Sequence, residues 1–61
     1  MEEKYKILIV DDEQSILDML KLQLEFEGYS VYTAGNAAEA LDKLSYSPDI
    51  VLLDINMDGV N

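Results

Sequence analysis

Two short apolar runs, each followed directly by aspartate, constrain the fold of this chain more than any other feature. Residues 7–10 (Ile-Leu-Ile-Val) and Ile50–Leu53 carry no polar side chain. Unbroken apolar runs of this length are typical of strands buried on both faces of a parallel sheet. The first run stops at Asp11-Asp12-Glu13 and the second stops at Asp54. The pattern therefore predicts two buried strands with carboxylates at their C-terminal ends.

Helical and extended segments alternate along the chain. One apolar stripe predicts a helix over residues 14–27. The stripe consists of Leu17, Leu20 and Leu24. Gly28 suits the end of that helix. The other predicted elements are strands over residues 5–10, 29–33 and 50–53, and a short helix over residues 37–44 that begins with an Asn36-Glu39 capping box. Leu41 and Leu44 of the short helix are expected to face the core.

The resulting order, βαβαβ, predicts a parallel sheet with right-handed crossovers and helices on both faces. We expect the strand order 2-1-3, with residues 1–61 forming one truncated unit, half of a larger doubly wound domain. The third strand, Ile50–Leu53, is wholly apolar and would be a poor edge strand. The sequence therefore predicts that this strand pairs with something else.

Composition excludes several classes of function. The 61 residues include 13 acidic and only 4 basic ones, which gives a net charge of −9. This charge disfavours direct nucleic-acid binding. The chain has no His and no Cys, which excludes an ordinary zinc site and a disulfide framework. With no apolar stretch long enough for a membrane span or a signal peptide, we expect a cytoplasmic protein.

The acidic residues at the strand ends predict a metal site. If the strand order is 2-1-3, Asp11, Asp12 and Asp54 gather at one edge of the sheet, where parallel α/β sheets bind their ligands. Neighbouring carboxylates repel one another unless they take up protons or hold a cation. All the candidate ligands are oxygens, which suit Mg²⁺ or Mn²⁺. A carboxylate beside such an ion suggests phosphoryl chemistry at aspartate.

Residues 6–13 (Lys-Ile-Leu-Ile-Val-Asp-Asp-Glu) resemble the opening of response regulator receiver domains. Residues 48–57 (Pro-Asp-Ile-Val-Leu-Leu-Asp-Ile-Asn-Met) resemble the third strand and phosphorylation loop of the same family. The spacing of the segment between them is also similar. The resemblance covers essentially the whole chain, but only about the first half of a receiver domain.

The resemblance implies a flavodoxin-like fold and a non-enzymatic role in two-component signalling. Asp54 would accept a phosphoryl group from a histidine kinase or a phosphotransfer protein. Asp12 would bind Mg²⁺ directly, and Asp11 would act mainly through ordered water and charge. The backbone carbonyl of Asn56 would complete the metal site. The residue pattern alone indicates the three acids but does not assign the nucleophile.

Two departures from the family pattern affect what this form can do. The family often has Met-Pro-Gly after the acceptor loop, whereas this chain has Met57-Asp58-Gly59. The family's Ser or Thr, aromatic switch residue and phosphate-pairing Lys have no counterpart in the 61 residues. We therefore expect phosphorylation of this form to be slow or absent. We also expect a homodimer in which Ile50–Leu53 pairs with its copy across a two-fold axis.

Three alternative functions stay open from the residues alone. Residues 54–59 match the first half of an EF-hand-type calcium loop, although a strand rather than a helix is predicted before them. A haloacid dehalogenase-type phosphatase would need a nucleophile where Asn56 stands, and an amide cannot form an acyl phosphate. The main alternative is a truncated, purely structural unit that dimerises without signalling chemistry.

Overall fold

The computed structural model describes residues 4–53 of the chain. Five main elements follow one another: strand β1 (Lys6–Val10), helix α1 (Gln14–Phe26), strand β2 (Ser30–Ala34), helix α2 (Ala37–Lys43) and strand β3 (Ile50–Leu53). A single 3-10 turn, Leu44–Tyr46, follows α2. The predicted βαβαβ order is therefore confirmed. The predicted boundaries differ from these by one residue at several ends of helices and strands.

The three strands form one parallel sheet in the order β2-β1-β3, as predicted. In the central strand, Leu8 pairs with Tyr32 on one side and with Val51 on the other. A carboxylate fixes the start of the β1–β3 pair: Asp49 Oδ2 accepts the backbone N–H of Lys6 at 2.8 Å, and the Asp49 N–H donates to the Lys6 carbonyl at 2.8 Å. The register of β3 against β1 is thus fixed by the residue that directly precedes the apolar run of β3.

The central strand supplies both halves of the core. Alternate side chains of a strand point to opposite faces, so Ile7 and Ile9 pack with Leu17 of α1, while Leu8 and Val10 pack with Ala34 on the α2 face. These four apolar side chains of β1 are almost completely buried. The prediction that β1 is buried on both faces is therefore confirmed, and the helices lie on opposite faces of the sheet.

Local sequence explains where the helices begin and end. Asn36 Oδ1 accepts the Glu39 N–H at 2.9 Å, as predicted for a capping box. The Glu39 carboxylate reaches one residue further back than predicted and accepts the Gly35 N–H at 2.7 Å. At the end of α1, Gly28 has φ +103°, and the Tyr29 N–H donates to the Leu24 carbonyl at 3.1 Å. These contacts form a Schellman motif, which ends α1.

The expectation that Leu41 and Leu44 lie in the core is wrong for this chain. Leu41 is 68% exposed and Leu44 is 46% exposed. Helix α2 packs mainly against β2 and β1, so these leucines face the side of β3, where the described part of the chain supplies no further layer. Every residue of β3 is exposed as well. The apolar surfaces that the sequence assigns to a core therefore remain open along one side of the molecule.

Candidate functional site

The C-terminal ends of the three strands lie side by side at one edge of the sheet. Val10, the last residue of β1, pairs with Ala34, the last residue of β2, and with Leu53, the last residue of β3. Adjacent strands in a sheet lie about 4.8 Å apart. Whatever follows Val10 in the chain therefore emerges between two neighbouring strand ends.

Asp11 is the first residue beyond β1 and is 5% exposed. Its backbone N–H donates to the Ala34 carbonyl at 3.1 Å, which extends the β1–β2 pairing by one residue. Its Oδ1 atom accepts the backbone N–H of Glu13 at 2.9 Å. An aspartate that accepts the N–H two residues later forms an Asx turn. Asp11 therefore turns the chain out of the sheet and into α1.

Asp12 and Glu13 are exposed beside this turn. The Glu13 carbonyl accepts the N–H groups of Ile16 and Leu17 and begins the helix, but its side chain makes no capping bond. Asp12, an exposed acid, thus directly follows the buried Asp11 in a short loop that the Asx turn anchors. Two oxygen-donor side chains stand at the end of the central strand.

An open cleft of about 220 Å³ borders Asp11 on the α1 face of the sheet. Apart from Asp11, its lining is apolar: Ile9, Val10, Leu20, Leu52 and Leu53. Asp11 is therefore the one polar side chain among those that line this cleft in the described residues. An apolar surround strengthens the interaction between a carboxylate and any cation it holds.

The remaining predicted site residues, Asp54 and the Asn56 carbonyl, lie outside the described residues, as does Asp58. Within residues 4–53, no three side chains of the types that bind metals come together. The structure thus places Asp11 and Asp12 together at the end of β1. The convergence of Asp54 with them, and the binding of a metal there, stay predictions.

Sequence reasoning missed two structural roles of aspartate. It assigned Asp11 to charge and ordered water, and did not foresee that its carboxylate also forms the turn after β1. It placed Asp49 directly before the third strand and did not foresee its bond to the Lys6 N–H. The signal for the first was available, because an Asp directly before a helix often bonds to the backbone two residues later. The bond between Asp49 and Lys6 depends on the register of β3 against β1, and no local sequence signal gives that register.

The described segments also bear on the competing interpretations. The residues before the EF-hand-like motif form β3, Ile50–Leu53, rather than the entering helix of an EF-hand. In the part of the chain that the structure covers, neither helix is long and apolar enough to cross a lipid bilayer.

Fold and strand ends together define the class of protein. The sheet is parallel in the order β2-β1-β3, has helices on both faces and has two acids directly after its central strand. This is half of a doubly wound α/β domain, with acidic residues at the edge where such domains bind their ligands.

Comparison with known proteins identifies the family. Residues 7–61 match the model of the response regulator receiver domain. The response regulator SaeR of Staphylococcus aureus strain USA300 is 49% identical over 55 residues, which is 90% of this chain and 24% of SaeR, and SaeR of strain NCTC 8325 matches equally. A crystal structure of a response regulator receiver domain protein from Clostridium thermocellum superposes with a TM-score of 0.80 at 38% identity, over 90% of this chain and 46% of that one.

The chain therefore belongs to the response regulator receiver domain family. Its fold is the flavodoxin-like receiver fold over the first three strands, as the resemblance implied. It spans about a quarter of the SaeR sequences and just under half of the Clostridium thermocellum chain that it matches.

Proposed function

We propose that residues 1–61 form the phosphoacceptor half of a receiver domain in a two-component system, with Asp54 as the acceptor. The strand register is the observation that carries the proposal. Asp11 follows Val10 and Asp54 follows Leu53 in the chain, and Val10 and Leu53 are paired residues of β1 and β3. The two acids are thus each the next residue after a matched pair. The proposal places the chain in the cytoplasm, together with a histidine kinase or phosphotransfer protein.

The proposed reaction is the transfer of a phosphoryl group from a phosphohistidine to aspartate. A carboxylate oxygen of Asp54 attacks phosphorus, the P–N bond breaks, and the imidazole of the donor leaves with the electron pair of that bond. An acyl phosphate on Asp54 results. The chain contributes the nucleophile and its position, while the histidine belongs to the partner, since this chain has none. We accordingly regard the chain as a signalling module rather than an enzyme.

The donor set at the end of β1 fits Mg²⁺. Asp11 and Asp12 offer carboxylate oxygens, one buried and one exposed, and the proposed further ligands, Asp54 and the Asn56 carbonyl, are also oxygens. Mg²⁺ usually takes one or two carboxylates, several waters and a phosphate. When bound, it would neutralise charge on the phosphoryl oxygens. The Asx turn commits one oxygen of Asp11 to the Glu13 N–H, so Asp12 is the freer ligand.

We infer that this 61-residue form accepts phosphate slowly, because no basic side chain is available at the acidic edge. Lys6 Nζ donates to the Tyr46 carbonyl at 3.1 Å and Lys21 pairs with Glu25 at 3.0 Å. Lys43 Nζ donates to the Thr33 carbonyl at 2.6 Å. Lys4 precedes β1, at the other end of the strand from Asp11. Charge on a phosphoryl group would therefore lack the cationic partner that stabilises phosphoryl transfer.

Incubation with phosphoramidate and Mg²⁺, followed by mass spectrometry, tests the acceptor. We expect slow labelling that is confined to Asp54 and abolished in Asp54→Asn. The matched control is Asp42→Asn, which removes an exposed carboxylate of α2 and should leave the labelling unchanged. Labelling that survives in Asp54→Asn would place the acceptor elsewhere, and labelling within seconds would contradict the inferred impairment.

We also propose that this form self-associates through β3. All four side chains of β3 are exposed, although each is aliphatic. Pairing with a copy across a two-fold axis would give the strand order 2-1-3-3′-1′-2′, with an antiparallel pair at the centre. The same exposed strand supports the alternative function, a structural unit that dimerises without signalling chemistry.

Sedimentation at micromolar concentrations tests the self-association. We expect Leu53→Lys to shift the chain towards monomer and Leu22→Lys to leave it associated. Leu53 and Leu22 are similarly exposed, at 65% and 70%, but Leu22 lies on α1. A folded monomer of the unsubstituted chain at micromolar concentration would rule the dimer out.

A further inference from the structure

Strand β2 lies in the longest uncharged stretch of the chain. Residues 28–38 include no Asp, Glu, Lys or Arg, although 28% of all residues are charged. The strand itself reads Ser-Val-Tyr-Thr-Ala, without proline. Short uncharged segments of β-branched and aromatic residues pair readily with copies of themselves wherever a strand edge is open. The β2 segment therefore favours self-assembly unless its outer edge is protected.

In the described part of the chain, β2 is at the edge of the sheet. The strand order is β2-β1-β3, so β1 pairs with one side of β2. The Ala34 carbonyl faces β1, since it accepts the Asp11 N–H at 3.1 Å. Successive residues of a paired strand direct their backbone groups to opposite sides. Val31 and Thr33 therefore direct their N–H and carbonyl groups away from β1, along the outer edge.

Two charged side chains of α2 bond to this outer edge. Lys43 Nζ donates to the Thr33 carbonyl at 2.6 Å. Glu39 Oε1 accepts the Gly35 N–H at 2.7 Å. Because Gly35 is two residues after Thr33, these bonds engage neighbouring groups of the same outward row. Both bonds involve a charged partner, and such hydrogen bonds are stronger than those between neutral groups.

The spacing of Glu39 and Lys43 on α2 suits this contact with β2. Residues four apart lie on one face of a helix, about one turn apart. Charges at the two ends of a helix also suit its dipole, but an effect on the dipole needs no contact with a strand. On α1, Lys21 and Glu25 have the same spacing and pair with each other at 3.0 Å. The α2 side chains instead bond to the β2 backbone.

We propose that Glu39 and Lys43 close the outer edge of β2 against pairing with β2 of a second copy of the chain. A strand added in either direction must bond to the outward backbone groups of β2. With the Thr33 carbonyl and the Gly35 N–H already bonded, the outward groups that remain are too few to offset the cost of association. This protection involves residues 28–43 alone and is independent of Asp54 and of β3.

Paired substitutions on the two helices test this role. The α2 variant, Glu39→Ala with Lys43→Ala, removes both bonds to the edge of β2. The matched α1 variant, Lys21→Ala with Glu25→Ala, removes a pair of the same spacing. Each variant loses one acid and one base, so both keep the net charge of −9, and both keep β3 unchanged. In light scattering, the α2 variant should assemble at a concentration about tenfold lower than the α1 variant, because the opened edge offers further intermolecular bonds. Equal behaviour of the two variants would overturn the proposal.

Thr33→Pro shows which surface the α2 variant uses. Proline removes an N–H that faces away from β1, a position where an edge strand tolerates proline. The same change prevents an added strand from bonding there. Introduced into the α2 variant, Thr33→Pro should restore the behaviour of the unsubstituted chain. Assembly that persists in the presence of Thr33→Pro would assign it to another surface and contradict the proposal.

Single substitutions at Lys43 and amide exchange keep the proposal testable if the α2 variant unfolds. Lys43→Arg keeps a donor and should associate no more than the unsubstituted chain, whereas Lys43→Met keeps only the apolar stem and should assemble. In the unsubstituted chain, the Gly35 amide should be protected from hydrogen exchange about tenfold more than the outward Thr33 amide, because Glu39 holds it. Equal protection of the two amides, or equal association of the two Lys43 variants, would count against a closed edge.

Discussion

At the scale of single residues, Asp11 has a structural role in the turn after β1 and a proposed role in metal binding. Its carboxylate is almost completely buried and bonds to the Glu13 N–H, so it shapes the loop that presents Asp12. The same carboxylate is part of the proposed metal site. Substitutions can separate these roles, because asparagine keeps an oxygen acceptor but loses the charge.

We therefore expect Asp11→Ala and Asp11→Asn to differ in stability. Alanine leaves the part-buried Glu13 N–H without its partner, which costs about 1 kcal/mol. Asparagine retains the turn and removes repulsion from Asp12, so its free energy of unfolding should fall by less than about 0.5 kcal/mol. Urea denaturation of both variants measures this. Equal losses in the two variants would show that the charge, not the turn, holds the loop.

At the scale of elements, the end of α1 depends on a glycine in a left-handed conformation. Gly28 has φ +103°, and a Cβ there would meet no atom within 4 Å. The cost of Gly28→Ala is therefore conformational rather than steric, about 1–2 kcal/mol.

Gly35→Ala is the matched control for that substitution. Gly35 has no positive φ, and a Cβ there would touch only the Glu39 carboxylate, at 3.4 Å. We expect its unfolding free energy to change by less than about 0.5 kcal/mol. Thermal unfolding monitored by circular dichroism compares the two, and a Gly35→Ala variant as unstable as Gly28→Ala would contradict the assignment of the helix end.

The elements also show how far one sequence could predict this structure. Periodicity and turn residues predicted the five main elements, since buried strands and capped helices leave local signals. The strand order 2-1-3 was an expectation about topology, and the sheet confirms it. The same periodicity placed Leu41 and Leu44 in a core that the described residues do not complete. A stripe of leucines indicates which face is apolar, but not whether a partner covers it.

For the candidate site, the sequence predicted the pair after β1 because acids directly follow an apolar run. The Asp11 turn bond had a local signal that the prediction did not use. The bond of Asp49 to the Lys6 N–H could not be predicted, because it depends on the register of β3 against β1. The positions of Asp54 and Asn56 relative to that pair depend on residues beyond those described.

At the scale of the whole molecule, the chain has a sheet whose third strand is exposed on both faces. Small domains bury a modest fraction of their surface and have little stability in reserve. If self-association covers β3, as we propose, the apparent stability must depend on protein concentration by mass action. We expect the midpoint of thermal unfolding to rise by several degrees between 5 and 500 µM. A midpoint independent of concentration would contradict self-association as a source of stability.

Backbone NMR spectra recorded during a Mn²⁺ titration test the central claim most directly, namely that the ends of β1 and β3 share one cation site. The account predicts that the amide signals of residues 11–13 and 54–56 broaden together at the same low Mn²⁺ concentration. Signals at the opposite end of the sheet, including those of the acids Glu25 and Asp49, should stay sharp. Broadening of one strand end without the other, or equal broadening at all acidic residues, would contradict the account.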